Sequence, residues 1–159
     1  MKPGIEDFLK RIIEEIEGVG IDIEGLKIDH IAYSCKSSEE YEHLLPQFVK
    51  TGKLIREAII GDRRVAIIKL DLPIKCNNYN IDVTELIEPI KGEESLSGWE
   101  HVEFLVDSYD SFLKQYPKLN WNLAHKNREN FSRIKLVLPS GREVKFLDTP
   151  ALISAELES

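Results

Sequence analysis

An internal repeat is the feature of this 159-residue sequence that most restricts its fold. The segments DHIAYS (29–34) and EHVEFL (100–105) align without gaps at an offset of 71 residues. The same offset superposes four pairs: His30 with His101, Ser37 with Ser108, Tyr41 with Phe112, and Pro46 with Pro117. A strand histidine, a helix cap, a helix aromatic and a helix-breaking proline therefore recur together. Two copies at so long a period exclude a solenoid and predict two βαβββ modules in a pseudo-twofold arrangement.

The secondary structure expected from residue periodicity fits this arrangement. An extra amphipathic helix is predicted over residues 4–18, ahead of the modules. Module one (27–90) has a strand at 27–35, a helix begun by the Ser37 capping box, and strands at 54–60, 64–70 and 79–89. Module two (98–150) has a strand at 99–106, a helix at 108–116, and strands at 120–125, 131–138 and 142–148, before a short tail helix. The predicted fold class is α+β: a single domain over residues 1–159, with a curled mixed sheet around a central cavity.

Composition and charge restrict the classes of partner. The 28 acidic and 21 basic residues give a net charge of −7, which repels nucleic acid and anionic membranes and favours small-molecule partners. No apolar run approaches the roughly 20 residues that cross a bilayer, and the charged start does not resemble a signal peptide. Cys35 and Cys76 form no disulfide or metal pattern, so free thiols and a cytoplasmic location are predicted.

Strand alternation predicts where the two repeated histidines point. In the first strand His30 shares a face with Ile28, whereas Asp29 and Ile31 occupy the other face. The face with the large hydrophobic residues is expected to cover helices, and the same alternation applies to His101. We therefore expect the two imidazoles to converge on the cavity between the modules.

Several motifs resemble the vicinal oxygen chelate superfamily, which includes glyoxalase I, methylmalonyl-CoA epimerase, extradiol dioxygenases and bleomycin-resistance proteins. IDHIAYS resembles the first-strand histidine motif of the epimerases, and VTELIEP resembles the end of their fourth strand. This likeness covers about residues 27–150 and implies paired βαβββ modules around a metal. The N-terminal helix, EAIIGDRRVAIIKLDLPI and GWEHVEF resemble the YecM branch over nearly the whole chain. That branch has no established reaction, and superfamily members often form homodimers.

The resemblance implies a set of metal ligands. His30, Glu85 and His101 match three of the four ligand positions of the superfamily. The fourth position, expected to be glutamate, is Lys145, whose ammonium has no lone pair. Glu143 lies on the same face and would substitute only with a shift in geometry. Two histidines and one carboxylate suit Fe, Mn, Zn or Ni as a divalent cofactor, and the alternative is a pair of hydrogen-bonded cavity histidines without metal.

Other charged residues are candidates for catalysis or substrate binding. Glu103 shares a strand face with His101 and is either a general base or an ion-pair partner for Lys145. Lys145 is itself a candidate partner for a substrate carboxylate. Arg63 and Lys69 are candidate contacts for an anionic substrate, with a solvated surface as the alternative.

Two functions follow from these residues and the resemblance. The first is a metal-dependent isomerase, lyase or oxygenase acting on a small anionic molecule with adjacent oxygens. The second is a non-catalytic binding protein that sequesters a small carboxylate in the same cavity without metal. The fold analogy supports the enzyme, and Lys145 supports the binding protein.

Overall fold

The structure is a computed structural model that describes residues 4–157; the ends of the predicted domain and of its tail helix, 1–3 and 158–159, lie outside this range. Four helices and seven strands follow in chain order: α1 (Ile5–Gly18), β1 (Ile28–Ser34), α2 (Ser38–Val49), β2 (Gly52–Ile60), β3 (Arg63–Cys76), β4 (Tyr79–Ile87), β5 (Gly98–Leu105), α3 (Tyr109–Gln115), β6 (Ile134–Val137), β7 (Glu143–Leu147) and α4 (Ala151–Leu157). None of the helices in the described part of the chain is long and apolar enough to cross a membrane.

The strands form one mixed sheet in the order β2-β3-β4-β1-β5-β7-β6. The first strands of the two modules, β1 and β5, pair antiparallel at the centre, while β4 pairs parallel with β1 and β7 pairs parallel with β5. In the central pair His30 lies opposite Glu103, and Ala32 lies opposite His101. The 71-residue offset exchanges these two pairs, so the pseudo-twofold axis passes between β1 and β5. The predicted α+β class with a mixed sheet is confirmed.

The repeated caps begin equivalent helices. Ser37 accepts a hydrogen bond from the Glu40 amide at 3.0 Å, and Ser108 accepts one from the Ser111 amide at 3.0 Å. Each hydroxyl satisfies an amide that has no partner within its helix. The prolines are not equivalent, because Pro46 lies inside α2 whereas Pro117 follows α3. The prediction that both prolines break a helix was therefore wrong for Pro46.

Module two lacks the strand predicted at 120–125. Asn122 makes only an isolated bridge to Lys135, through amide–carbonyl bonds of 2.8 and 3.1 Å. The neighbouring Trp121 donates its indole N–H to the Tyr116 carbonyl at 2.9 Å and packs against Phe112, which draws the chain towards α3. β6 also begins later than predicted, at Ile134. The irregular segment 120–133 therefore occupies the position that β2 has in module one.

A register shift in β1 changes the predicted face assignment. The pairing with β5 is irregular between Ile28 and His30, and Ile28 packs with Ile31 in the helix-side core instead of sharing the histidine face. Asp29 is buried at 5% exposure. A β-bulge re-aims side chains in this way because it adds one residue to one strand of a pair. Asp29 is consequently available to the histidine beside it.

The concave face of the sheet carries a second, smaller apolar cluster. Its buried members come from module one, segment 120–133 and the last helix: Ala32, Ala58, Val65, Ile67, Val83, Ile87, Phe131 and Ala155. The Phe131 amide donates to Ser154 Oγ at 3.2 Å, and Phe131 holds a left-handed φ of 57°. Together α4 and Phe131 cover the concave face where the predicted site lies.

Gly52 allows the close approach of β2 to β3. A Cβ at this position would overlap the Lys69 carbonyl oxygen, so we expect Gly52→Ala to destabilise the protein by about 1–3 kcal/mol. Gly18→Ala is the matched control, because no atom lies within 4 Å of its added Cβ and alanine favours helix by about 0.5–1 kcal/mol. Urea unfolding of both variants measures the difference. Equal stability of the two variants would contradict the close approach.

Candidate metal centre

Four buried side chains meet on the concave face of the three central strands. His30 comes from β1, Glu85 from β4, and His101 and Glu103 from β5. Their exposures are 2% or less, and one nitrogen or oxygen atom from each lies within 4.8 Å of the others. The alternation of β1 and β5 thus brings both repeated histidines to one point, together with two carboxylates.

Glu103 lies at the centre of this group. Its Oε2 is 2.8 Å from His30 Nε2 and 3.1 Å from His101 Nε2. It also accepts a hydrogen bond from Arg133 Nη1 at 3.2 Å. Glu85 Oε1 is 3.3 Å from His30 Nε2. Both imidazoles therefore direct Nε2 to the centre of the group.

The other nitrogen of each histidine faces the acidic residue that precedes it. His30 Nδ1 donates to Asp29 Oδ2 at 2.6 Å, and His101 Nδ1 is 3.4 Å from Glu100 Oε1. Asp29 Oδ2 also accepts the Ala151 amide of α4 at 3.1 Å. A carboxylate on Nδ1 orients an imidazole and leaves Nε2 as the metal-binding atom. Both halves of the repeat have this arrangement.

Charge interactions and hydrogen bonds outweigh burial for His30, Glu85 and Glu103. Burial alone lowers the pKa of His30, but Glu85, Glu103 and Asp29 together raise that pKa well above its ordinary value. Burial alone raises the pKa of Glu103, but Arg133 and the two histidines hold it well below its usual range. Burial raises the pKa of Glu85, but the charge and hydrogen bond of His30, together with the charge of Arg133, lower it overall. Both carboxylates are therefore ionised at neutral pH.

Two carboxylate oxygens in the group have no hydrogen-bond partner. Glu85 Oε2 and Glu103 Oε1 are both fully buried, and no donor within the described range 4–157 reaches either atom. Buried polar atoms of folded proteins are nearly always paired, and an unpaired carboxylate oxygen is among the costliest exceptions. The group thus presents unused acceptor capacity beside two imidazole nitrogens.

The superfamily resemblance implies a carboxylate at position 145 of β7, but the carboxylate found there in space is Glu103 of the adjacent strand β5. Glu85 pairs with Ala32 across β4 and β1, and the equivalent pair in module two is Lys145 with Glu103 across β7 and β5. In module two the carboxylate thus stands on the first strand of the module, and the last strand carries the lysine. Glu143, the other candidate ligand, is not part of the group of four within the described residues.

Two of the predicted substrate-binding residues, Lys145 and Arg63, lie close to members or neighbours of the group of four. Lys145 is 4% exposed and adjoins Glu103, yet the ion pair of Glu103 is with Arg133. Arg63 lies near Glu100, whose pKa falls to about 2 chiefly through the hydrogen bond with His101, with Lys145 and Arg63 contributing.

Lys69 does not reach the group of four. Its ammonium bonds to Asp82 at 2.6 Å, and its side chain is 41% exposed. Asp82 lines a separate groove of about 1100 Å³, to which none of the four side chains contributes. The structure thus gives Lys69 a carboxylate partner in Asp82, and its contact with an anionic substrate stays a prediction.

Three residues that contact the group of four were not identified as site residues from the sequence. Arg133 has no pattern that marks it, because it lies in the irregular segment before β6. Asp29 and Glu100 did carry a signal, since an acidic residue precedes the histidine in both copies of the repeat. The expected alternation placed Asp29 among the helices, and only the bulge in β1 turns it towards His30.

The paired modules and the buried histidine–carboxylate group together define a protein of the vicinal oxygen chelate fold class. A model of the family described as "YecM protein" matches residues 2–155. The chain belongs to the YecM family. It is 27% identical over 99 residues to Protein YecM of Escherichia coli K12 and 28% identical over 99 residues to an uncharacterized protein of Haemophilus influenzae. These alignments cover 62% of this chain and 53% and 52% of the two relatives, so the matched region is about half their length.

Solved structures share the fold at low sequence identity. A structural genomics protein (Protein EC4020) has a TM-score of 0.74 at 21% identity, over 96% of this chain and 88% of its own. A Streptomyces coelicolor methylmalonyl-CoA epimerase in complex with 2-nitronate-propionyl-CoA has a TM-score of 0.56 at 13% identity, over 77% and 96%. The methylmalonyl-CoA epimerase of Mycobacterium tuberculosis has a TM-score of 0.53 at 13% identity, over 82% and 91%. These similarities establish the fold.

Proposed function

We propose that this protein is a metal-dependent enzyme of the vicinal oxygen chelate type, an isomerase, lyase or oxygenase that acts on a small anionic substrate. His30, Glu85 and His101 hold the divalent metal, and Glu103 moves a proton. The observation that carries this proposal is the pair of unpartnered buried oxygens, Glu85 Oε2 and Glu103 Oε1, beside two converging Nε2 atoms. A cation satisfies such oxygens, which otherwise make the group costly to bury.

The donor set fits a divalent transition metal. Bonds of about 2.1 Å place neighbouring donor atoms roughly 3 Å apart. The Nε2 atom of His30 lies 3.3 Å from Glu85 Oε1, which is the spacing of two atoms that bind one ion, and 2.8 Å from Glu103 Oε2, so the proposed base lies directly beside the ligands. Imidazole and carboxylate together suit Fe, Mn, Zn or Ni. The Nδ1 contacts of both histidines supply the outer hydrogen bonds that such a site uses.

The residues around the metal ligands have separate tasks in this proposal. A bound divalent metal supplies a Lewis acid for a substrate oxygen. Arg133 keeps Glu103 ionised, so that Glu103 Oε1 accepts a proton from the substrate. Lys145 pairs with the substrate anion, and Arg63 is a second candidate for that contact. The cover formed by α4 and Phe131 excludes water from the concave face, which strengthens each charge interaction.

The fold is consistent with this class of chemistry. The methylmalonyl-CoA epimerases that share it are isomerases, and one of them is in complex with 2-nitronate-propionyl-CoA. At 13% identity this likeness supports the reaction class and leaves the substrate of the present protein to experiment.

Metal content is the test of the proposal. Protein purified without a histidine tag is treated with chelator, reloaded with Fe(II), Mn, Zn or Ni, and assayed for bound metal. We expect about one equivalent of at least one ion to rebind, because three converging donors and the negative charge of Glu103 beside them favour a cation. Failure of all four ions to rebind would refute the metal-dependent enzyme and leave the metal-free binding protein.

The separate roles of the two glutamates are tested in the same assay. Glu85→Gln is expected to weaken metal binding, because it removes an anionic ligand. Glu103→Gln is its matched control, since it makes the same change in the same group but should retain the metal if Glu103 serves as the base. Loss of metal from both variants would instead make Glu103 a ligand.

A further inference from the structure

A second polar group extends from Glu103 across module two. Lys145 of β7 is the register partner of Glu103, and Lys135 of β6 is the register partner of Lys145. Paired residues of adjacent strands project from the same face of a sheet. The two lysines therefore continue the row of site residues towards the edge of the concave face, at steps of about 4.8 Å per strand.

These ammonium groups lack carboxylate partners. Lys145 is 4% exposed, and across residues 4–157 no carboxylate oxygen lies within 4.0 Å of its Nζ. Lys135, which is partly exposed, likewise has no carboxylate oxygen within 4.0 Å of its Nζ in this range, and the guanidinium of Arg128 has none either. The nearby Arg133 differs, because it is paired with Glu103. Glu103, Glu100 and Glu143 act on Lys145 only from beyond that distance, and burial outweighs them, so the pKa of Lys145 is lowered.

His125 lies among these cations. Its backbone carbonyl accepts the amides of Arg133 at 3.2 Å and Arg128 at 3.4 Å, and its Nδ1 is buried without a hydrogen-bond partner. Burial, reinforced by the positive charges of Lys135, Arg128, Arg133 and Lys145, lowers the pKa of His125 to about 4. The imidazole is therefore neutral at pH 7 and has one nitrogen available to a ligand.

We propose that Lys135, Lys145 and Arg128, together with the unpartnered Nδ1 of His125, form an anion subsite that binds the phosphate group of a small phosphate ester. Three cations without carboxylate partners match a dianion, whereas a monocarboxylate would compensate only one of them. The three side chains come from β6, β7 and segment 120–133, and a phosphate has several acceptor oxygens that separate donors can share. Its role as a substrate subsite rests on the proposed function, but anion binding itself does not require a metal.

Inorganic phosphate is the probe for this subsite, with acetate and malonate as competitors of lower charge or different shape. The imidazole signals of His125 are followed by NMR at increasing pH in metal-free protein, with and without phosphate. We expect phosphate to raise the pKa of His125 towards its ordinary value, because the anion compensates the surrounding cations. Acetate should bind at least about tenfold more weakly than phosphate, and malonate should not exceed phosphate.

Variants of equal size assign the effect to the proposed residues. Lys145→Met and Lys135→Met are each expected to lower phosphate affinity at least about tenfold. Lys126→Met is the matched control, because Lys126 lies in the same segment but pairs with Asp110 at 3.5 Å. Far-ultraviolet circular dichroism verifies that each variant is folded, and Lys135→Met tests the subsite from a partly exposed position if Lys145→Met does not fold.

The proposal is overturned if phosphate leaves the His125 signals unchanged, if malonate or acetate binds more tightly, or if Lys126→Met is as damaging as Lys135→Met. The metal-free conditions keep this result distinct from the proposed enzymatic function. Phosphate binding without metal rebinding would support the subsite and refute the metal-dependent enzyme. Metal rebinding without phosphate binding would support the metal-dependent enzyme and refute the subsite.

Discussion

Replacing His101 with alanine is expected to abolish stoichiometric metal binding, with a loss of affinity exceeding the roughly 10–100-fold that removal of an outer-shell residue causes. His101 Nε2 is one of two imidazole donors in the group, and residues 4–157 supply no third imidazole to the group that could replace it. The measurement is the metal content after chelation and reloading, together with the shift in melting temperature on adding metal. A ligand that binds only folded protein at 100 times its Kd stabilises it by about 2.7 kcal/mol, so the wild-type shift should be large and the variant shift small.

His43→Ala is the control variant, because it removes a histidine that lies outside the group of four. His43 lies on α2, is exposed and is not part of the group of four. Its removal should leave metal content and the melting shift unchanged. If His101→Ala retained a full equivalent of metal with the wild-type melting shift, the four side chains would be a hydrogen-bonded ion network rather than a metal centre.

Replacing Arg133 with methionine is expected to lower the free energy of unfolding by about 3 kcal/mol at neutral pH. Arg133 is 8% exposed and donates to Glu103, which is fully buried. The variant leaves that carboxylate charged, without its guanidinium, at a place where water cannot reach it. Urea denaturation of metal-free protein measures the difference.

The stability lost in Arg133→Met should depend on pH, because Glu103 is the titrating partner of Arg133. The folded-state pKa of Glu103 is lowered, so its contribution to stability is present above its unfolded pKa and is lost as the pH falls. Arg133 is the largest of the charges that lower this pKa. The difference between wild type and Arg133→Met should therefore shrink from pH 7.5 towards pH 4, where Glu103 of the variant takes up a proton.

Lys126→Met and the double variant Glu103→Gln, Arg133→Met complete the experiment. The Lys126–Asp110 pair is partly exposed, so its loss should cost less than about 1 kcal/mol. The double variant should recover part of the stability lost in Arg133→Met, since it removes the unpaired charge. Equal destabilisation of the single and double variants would contradict a specific Glu103–Arg133 interaction.

Much of the architecture could be predicted because it depends on local pattern. The 71-residue offset, the two serine caps and the shared face of His30 and His101 are properties of short segments, and each reappears in the structure, although the alternation fails just before His30. Glu85 was found by family resemblance, and it lies in the group of four. In contrast, the strand at 120–125 was predicted as part of the repeated module, and the packing of Trp121 against Phe112 and Phe146 overrides that prediction.

The site could be predicted only in part, because its remaining members meet through long-range pairing. The sequence placed Lys145 where a ligand was expected and suggested Glu103 as its neighbour, but only the structure shows that the ion pair of Glu103 is with Arg133. Arg133 is 30 residues from Glu103 along the chain, and its approach depends on the irregular path before β6. Lys69 carried the right charge but lies beside Asp82, which binds it.

The sequence by itself determined the repeated module, the α+β class and the convergence of two histidines, because strand alternation and helix capping act over a few residues. Only the tertiary structure decided which charges face one another. The bulge in β1 turns Asp29 towards His30, and the pairing of β5, β7 and β6 aligns Glu103, Lys145 and Lys135 in one row. The physical reason is that an electrostatic interaction depends on separation and burial in space, and residues distant in sequence acquire both only when the sheet has formed.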